Sequence, residues 1–378
     1  MAQLVIQTEK IKDNIKSLSD FFEKHNIQWS LVTKVFSGDK EFLRHILTDE
    51  VIEKIHSVGD SRLTSLRNLR AVNPNMRTIY IKPPAKVYAD EVVEYADISL
   101  NSSLSTIKAL NKAAKKQDKI HQIIIMIELG ELREGVNRED LMSFYEKVFD
   151  LSHIDVIGLG SNLGCMYGIE PNYDKLIQLS IYKELISTRF NKDLRFISGG
   201  SSITLPLIEQ GTVPTNINHF RIGEAVFFGV SPLKNEQFMN LHTDTFEFRA
   251  NIIEIEKKKI VPEGVLSDAN IGHTADYSDT KPNGTTVKAI LDFGMLDVDD
   301  ADLEVMDKDV KFVGITSDMM VVDIASNKTE EGKKKYHVGD EIVFKTNYMA
   351  VARLLNSKFI DKMFVGLPLF GIKPITQP

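Results

Sequence analysis

With a single cysteine, Cys165, in 378 residues, the chain cannot build an intrachain disulfide framework, and a reducing, cytoplasmic setting is expected. Positive charge is not in excess: 46 lysines and arginines stand against 53 aspartates and glutamates, a net charge of −7. That balance argues against a nucleic-acid binder and mildly favours cationic small-molecule ligands. No apolar run approaches membrane-spanning length, and the first residues, MAQLVIQTEKIKDNI, lack the apolar core of a signal peptide. No late His/Cys pair has metal-ligand spacing, so no metal is expected. What remains is ordinary globular composition, 43% hydrophobic and 26% charged, in a chain long enough for two domains.

From residue 8 to about 230, short apolar runs alternate with helical stretches. The runs are WSLVTK (29–34), EKIHSV (53–58), TIYIKP (78–83), ADISLN (96–101), IHQIIIMIEL (120–129), IDVIGLGS (154–161), LRFISGG (194–200) and INHFRIG (217–223). Between most of them lies a segment of period near 3.6, such as SSLSTIKALNKAAKK (102–116). Eight strands separated by helices predict an α/β fold of the (β/α)8 TIM-barrel type, with its site at the carboxyl ends of the strands. After residue 240 the pattern changes. FEFRANIIEIEK (246–257), TTVKAILDFG (285–294), KFVGITSDMMVVDIAS (311–326) and GDEIVFKT (339–346) read as a mostly-β domain. The expected domains are a barrel over 8–232 and a β domain over 238–376, with residues 1–7 free to pair with the latter. The charged run NKTEEGKKK (327–335) reads as a solvated hairpin loop.

The chemistry-bearing residues cluster at predicted strand ends. Lys34 closes the first run, and a lysine at the carboxyl end of a barrel strand is suited to a Schiff base with a carbonyl cofactor. Asp60, Lys82, Asn101, Glu128 and Arg133, and Ser161, Asn162 and Cys165 follow on later strands. The seventh run ends in SGGSS (198–202), where glycines let the backbone approach an anion and Ser201 and Ser202 add hydroxyl donors. The eighth ends in RIGEA (221–225). Taken singly, each is more often a helix cap or a surface pair; the convergence is what points to a site.

VTKVF, LREG, SGGSS and FRIGEAVFFG occur in the order and near the spacing of alanine racemase-like, fold-type III pyridoxal phosphate enzymes, and the chain resembles most the ornithine racemase-like branch of amino-acid racemases. The resemblance spans about residues 4–235 and extends more loosely over the β domain. It implies pyridoxal 5′-phosphate as cofactor, with Lys34 as the lysine that bonds its aldehyde and acts as base on one face of the substrate. Arg133 matches the arginine that reaches the cofactor phenolic oxygen or the substrate carboxylate. Gly200, Ser201 and Ser202, assisted by the backbone at Gly223 and Glu224, match the phosphate-binding turn. Arg221 matches the arginine facing the pyridine nitrogen, and Asn162 stands where related racemases have a histidine near the ring. A guanidinium donates a hydrogen bond but not a proton, so a ring held by Arg221 withdraws electrons less strongly, which fits racemisation better than aminotransfer.

Racemisation needs a second acid/base on the opposite face of the α-carbon. In the resembled family it is a tyrosine from the partner subunit's β domain, which implies a homodimer with shared sites; here the nearest position in AILDFGMLD (289–297) is Phe293, which cannot transfer a proton. Cys165, Tyr167, His273, Tyr277 and Asp318 remain as alternatives, with Cys165 on the cofactor side and Asp318 also suited to bind a substrate ammonium. The resemblance implies a racemase of ornithine or another basic amino acid. An alanine- or serine-type racemase, or a non-catalytic pyridoxal phosphate carrier, are the competing readings.

Overall fold

The computed structural model describes residues 1–267, 269, 271–276 and 284–366. The chain divides into two compact units: one runs Lys10–Thr243, and the other combines Met1–Glu9 with the segment that begins at Asp244.

Strand β1 (Gln3–Gln7) belongs to the second unit. In the first, eight parallel strands close a barrel among the described residues. They are β2 (Gln28–Val32), β3 (Ser57–Asp60), β4 (Thr78–Tyr80), β5 (Ile98–Asn101), β6 (His121–Met126), β7 (Ile154–Gly160), β8 (Phe196–Ser198) and β9 (His219–Ile222). The ring shuts through parallel pairing of β2 with β9, in the register Leu31↔Ile222. All eight apolar runs therefore supply a barrel strand. The second starts later than its run: Asp49–Glu53 is helical, and only Ser57 onwards is extended. Thr48 and three acidic residues favour a helix start there, and the period-2 stretch begins only after them.

The intervening helices bury one stripe each. Leu104–Lys116 buries Thr106, Ile107, Leu110, Ala113 and Ala114, spaced three and four apart as a helix on a sheet requires. Tyr173–Phe190 is capped by Asn172, whose side chain accepts from Lys175 N–H, and is stopped by Asn191 in the left-handed region at φ 51°. The last two helices of the barrel, Leu205–Glu209 and Glu224–Phe228, have five residues each.

The barrel interior has two halves. Ile79, Ile98, Leu100, Ile124, Met126 and Ile157 form a buried apolar cluster on β4 to β7, with Phe196 of β8. Facing it, Ser198 of β8, His219 and Arg221 of β9, Ser30 of β2 and Ser57 of β3 make a buried polar stripe joined by side-chain hydrogen bonds. That stripe leads to the carboxyl end of β9.

The second unit holds nine strands in one sheet among the described residues. Phe246–Lys259 organises it. Its first half pairs with β1 and with Glu341–Thr346, its second half with Thr285–Leu291, and the register shifts between Ile252 and Glu254. KFVGITSDMMVVDIAS folds as two antiparallel strands, Lys311–Ile315 and Met320–Asp323, around a turn that contains Asp318. Strands Leu303–Val305 and Asp361–Val365 and helix Tyr348–Asn356 carry weaker alternation in the sequence and were not expected from it. The NKTEEGKKK segment is mostly exposed, with an antiparallel bridge between Lys328 and Lys334.

Candidate active site

Lys34 sits two residues past the end of β2 and opens a single 3-10 turn, Lys34–Phe36. Val35 and Phe36 are buried, and Phe36 packs edge-on to Phe227 with ring centroids 5.0 Å apart. The turn is thus anchored by its second and third residues while the Lys34 side chain is left exposed. Pairing of β2 with β9 brings it towards Glu224 of the helix after β9. Burial pushes the Glu224 carboxyl up, and the nearby Lys34 ammonium opposes that rise.

Arg221 is buried, 4% exposed, at the carboxyl end of the barrel. Its Nη1 donates to Ser198 Oγ; its Nη2 donates to Ser161 O at 2.8 Å and to Asn162 Oδ1 at 2.9 Å. Every one of these acceptors is neutral. Burial pulls the guanidinium down to about 10, with Glu134 drawing it back and Arg133 adding to the fall, so it stays cationic at neutral pH. The Asn162 amide also bridges outward, its Nδ2 donating to Glu134 Oε1 at 2.6 Å.

Glu134 in turn holds Arg133 through two guanidinium contacts, and Arg133 Nη1 reaches Cys165 Sγ. The loop carrying Cys165 is folded around Glu131. This carboxylate, 2% exposed, accepts the backbone N–H groups of Cys165, Met166, Tyr167 and Ile169 at 2.8–3.2 Å. Burial alone would raise the Glu131 carboxyl, but the four donors together hold it below the usual carboxylate range. Cys165 and Tyr167 are themselves exposed on that loop.

The turn after β8 packs against the start of the helix after β9. Gly200 has φ +132° and its carbonyl accepts from Arg221 N–H at 3.0 Å; a Cβ there would lie 2.7 Å from Thr204 Oγ1. Ser201 is extended and precedes the 3-10 turn Ser202–Thr204, whose first N–H groups have no partner within the turn itself. Ser202 is buried and its Oγ accepts from Ala225 N–H at 3.1 Å, which ties the turn to Gly223–Ala225 and leaves the hydroxyl hydrogen to donate elsewhere. Gly223 lies where a Cβ would come within 3.0 Å of Val32 O at the end of β2.

The structure thus brings Lys34, Arg133, Asn162, Cys165, Gly200, Ser201, Ser202, Arg221, Gly223 and Glu224 to one end of one barrel. Other strand-end residues are spent differently. Asp60 Oδ1 accepts Arg62 N–H at the start of helix Leu63–Val72, Asn101 Nδ2 bonds Ser99, and Glu128 Oε1 accepts N–H groups of its own loop. Asp318 is exposed in its hairpin turn in the second unit, where Ser317 Oγ donates to it at 3.1 Å. His273, also in that unit, is exposed, with its Nδ1 2.6 Å from Asp300 Oδ1, and that pairing raises its pKa. With Asp299 these two form a group of metal-type ligands, but Arg353 Nη1 already lies 3.4 Å from Asp299. Tyr277 lies outside the described residues. Phe293 is fully buried, its ring 4.9 Å from that of Phe248 and 5.6 Å from that of Phe344. It is a core residue of the second unit.

The sequence motifs, though LREG contains Glu134 and SGGSS opens on Ser198, assign no role to Glu131, Glu134, Ser198, Thr204 or His219. Glu134 was one residue from a singled-out arginine. His219 lies two before Arg221 in a strand, the spacing that places both side chains on one face.

These residues fit a phosphorylated pyridine aldehyde. Lys34 offers an exposed amine. The glycine turn leaves a space that any larger residue would fill, beside Thr204 Oγ1, a buried oxygen with no hydrogen-bond partner. Arg221 supplies a fixed donor that is not neutralised by a touching carboxylate.

A closed parallel barrel with a lysine, a phosphate-type turn and a buried arginine at its mouth, together with a separate β-rich unit, defines the class. The profile described as alanine racemase, N-terminal domain, matches residues 6–232, and the chain belongs to that family. It is 32% identical over 361 residues to an ornithine racemase of Acetoanaerobium sticklandii, covering 95% of this chain and 98% of that one. To a lysine racemase of Thermotoga maritima it is 28% identical over 364 residues, covering 96% and 98%. Among solved structures, the alanine racemase of a D-cycloserine-producing Streptomyces lavendulae superposes with a TM-score of 0.72 at 17% identity over 97% of each chain. That of Bartonella henselae, with covalently bound pyridoxal phosphate, gives 0.69 at 14% identity, covering 97% of this chain and 99% of that one. These neighbours share the fold.

Proposed function

We propose that this protein is a pyridoxal phosphate-dependent racemase acting on ornithine or another basic amino acid. The likeness to the ornithine and lysine racemases along nearly the whole chain supports the substrate class. The observation that carries the chemistry is Arg221, a buried cation held by neutral acceptors at the barrel mouth.

Pyridoxal phosphate, held by Lys34 and by the Gly200–Ser202 turn, supplies the electron sink that makes the α-hydrogen of an amino acid acidic. Lys34 Nζ removes or returns that proton on one face, and its exposed side chain on an anchored turn gives it the reach to do so. Arg221 would face the ring nitrogen of the bound cofactor as a hydrogen-bond donor that cannot give up its proton, and a ring so held would be a weaker electron sink, which favours proton return to the α-carbon. Arg133, fixed by Glu134, presents a guanidinium to the cofactor phenolic oxygen or the substrate carboxylate. Cys165, next to Arg133, is the proposed acid/base on the opposite face. Asp318 is assigned to the distal ammonium of the substrate from the β domain of a partner subunit, so the active form is a cytoplasmic homodimer.

The test is a panel of single L-amino acids given to the cofactor-loaded protein and resolved by chiral chromatography. Formation of D-ornithine or D-lysine faster than D-alanine or D-serine is expected. Preference for alanine or serine would replace the substrate class, and no inversion of any amino acid would favour a cofactor carrier.

A further inference from the structure

We propose that His219 is a positioning residue: as the Nε2–H tautomer it orients Ser198, and through Ser198 it locks the Arg221 guanidinium. The proposal rests on the reading of Arg221 as the ring-nitrogen partner.

His219 and Arg221 are two residues apart on β9, so both side chains enter the barrel interior. His219 is wholly buried. Its Nδ1 lies 2.8 Å from Ser198 Oγ and its Nε2 2.9 Å from Ser30 Oγ. Ser30 Oγ is 2.7 Å from Ser57 Oγ, which is 3.3 Å from His56 Nδ1. The chain ends in an arginine on each side. Arg221 Nη1 donates to Ser198, and Arg77 Nη1 donates to His56 Nε2 at 2.8 Å.

A guanidinium can only donate, so both ends push hydrogens inward. Between them Ser198, His219, Ser30, Ser57 and neutral His56 carry one hydrogen each, while only four links join them. One hydrogen is therefore surplus. If it lay at Ser198, that hydroxyl would accept from both Arg221 and His219 and its own hydrogen would have no acceptor at a buried site. If Ser198 O–H instead donates to His219 Nδ1, its lone pairs face Arg221, His219 Nε2–H donates to Ser30, and the surplus moves to the Ser30–Ser57–His56 end. The Ser57–His56 link is the longest of the four at 3.3 Å, and His56 is only half-buried, so a mismatch there gives up the weakest bond of the chain. Burial above all, with the nearby Arg221 and Arg77 cations adding to it, disfavours the charged form of His219, which preserves the one-donor, one-acceptor pattern.

The experiment uses protein labelled with 15N-histidine and 15N-arginine, first without cofactor. Assignment comes from His219→Leu and Arg221→Lys difference spectra. We expect His219 to show a protonated Nε2 and an unprotonated Nδ1 unchanged from pH 5.5 to 8.5, and the Arg221 Nη signals to be resolved by slow rotation. His219→Leu and Ser198→Ala should average the Nη1 pair, which donates to Ser198, while the Nη2 pair stays held by Ser161 and Asn162; His219→Gln, which keeps one acceptor and one donor, should restore the Nη1 pattern. An Nδ1–H tautomer, or resolved Arg221 Nη1 signals in both His219→Leu and Ser198→Ala, would overturn the proposal; the second variant decides if the first does not fold. In the loaded enzyme, His219→Leu should lower the number of racemisation turnovers per transamination event about tenfold, the loss of one buried hydrogen bond. A locked guanidinium whose release leaves that ratio unchanged would support the positioning role and count against the ring-nitrogen reading of Arg221.

Discussion

Arg221 Nη2 donates to Asn162 Oδ1 at 2.9 Å, and this contact fixes which way the asparagine amide faces. With its oxygen on the arginine, its nitrogen points to Glu134 and bonds Oε1 at 2.6 Å. A histidine in the place of Asn162 would titrate near neutral pH, whereas an amide does not, so the link from Arg221 to the Arg133–Glu134 pair keeps one polarity across the working pH range. Substituting Arg221 by glutamate reverses the sign of the group proposed to face the ring nitrogen. Arg221→Glu is expected to lower racemisation and to raise the share of transamination products; an unchanged product ratio on amino-acid analysis would contradict the electronic role.

Lys34 stands on a turn anchored by Val35 and Phe36, so removing its amine should leave the fold intact. Lys34→Ala is expected to lose the visible absorbance of lysine-bound cofactor and all turnover while keeping the wild-type circular dichroism. Borohydride treatment of the wild type followed by peptide mapping should place the pyridoxyl label on Lys34. A label on Lys82 or another lysine would displace the assignment.

Cys165 differs from Lys34 in what its loss should do. If the thiol serves one face only, Cys165→Ala should slow inversion by two orders of magnitude or so, the usual range for a lost acid/base, while Lys34 still exchanges the α-proton of one enantiomer. Cys165→Ala with full inversion would move the role to Tyr167 or to the β domain.

Phe293 fills a buried aromatic cluster with Phe248 and Phe344. Phe293→Tyr therefore adds a hydroxyl without a partner and is expected to cost about 1–3 kcal/mol in urea unfolding. It should not raise turnover. A gain in activity would mean that this position faces a site after all.

Stability should fall on mild acidification. Burial lowers His56 to about 4, helped by Arg77 and Arg195; burial lowers His121 to about 4 with Lys119 assisting; burial also holds His219 well below its ordinary value. The unfolded chain takes up these protons near the ordinary value of 6.5 and the folded chain does not, so stability present above 6.5 is lost as pH falls towards 4. Each histidine contributes a slope of up to roughly 1.4 kcal/mol per pH unit. Asp60, raised to about 6 chiefly by burial, acts the other way below pH 6, as do Glu224, raised by burial, and the exposed His273, raised by Asp300, whose shifts are smaller than those of the buried histidines. The urea midpoint is expected to drop between pH 7 and 5; a constant or rising midpoint would contradict the buried neutral histidines.

Period and strand-end chemistry made the barrel legible in the sequence. Runs such as IIIM at 123–126 are buried on both faces; Lys34 and the glycines of the SGGSS turn come just after such strands, and Arg221 lies near the end of the last one. The polar half of the barrel interior was not legible. Ser30, Ser57 and His219 read as unremarkable strand residues, and Ser198 only as the start of the SGGSS turn, until closure of the ring puts β2, β3, β8 and β9 side by side. Glu131 was hidden for a related reason. Its role is set by backbone N–H groups of a loop over thirty residues away, and no side-chain pattern records that. The helix Tyr348–Asn356 has an N-cap, Asn347, but too short an apolar stripe to stand out beside the strand before it.

Racemisation is proton exchange at the α-carbon with inversion, and it is measured most directly in heavy water. Cofactor-loaded protein is incubated with L-ornithine while NMR follows the α-proton and chiral chromatography follows the D-form. Loss of the α-proton together with appearance of deuterated D-ornithine is expected. Exchange with complete retention of the L-form would contradict an acid/base on the second face, and no exchange at all would contradict the racemase itself.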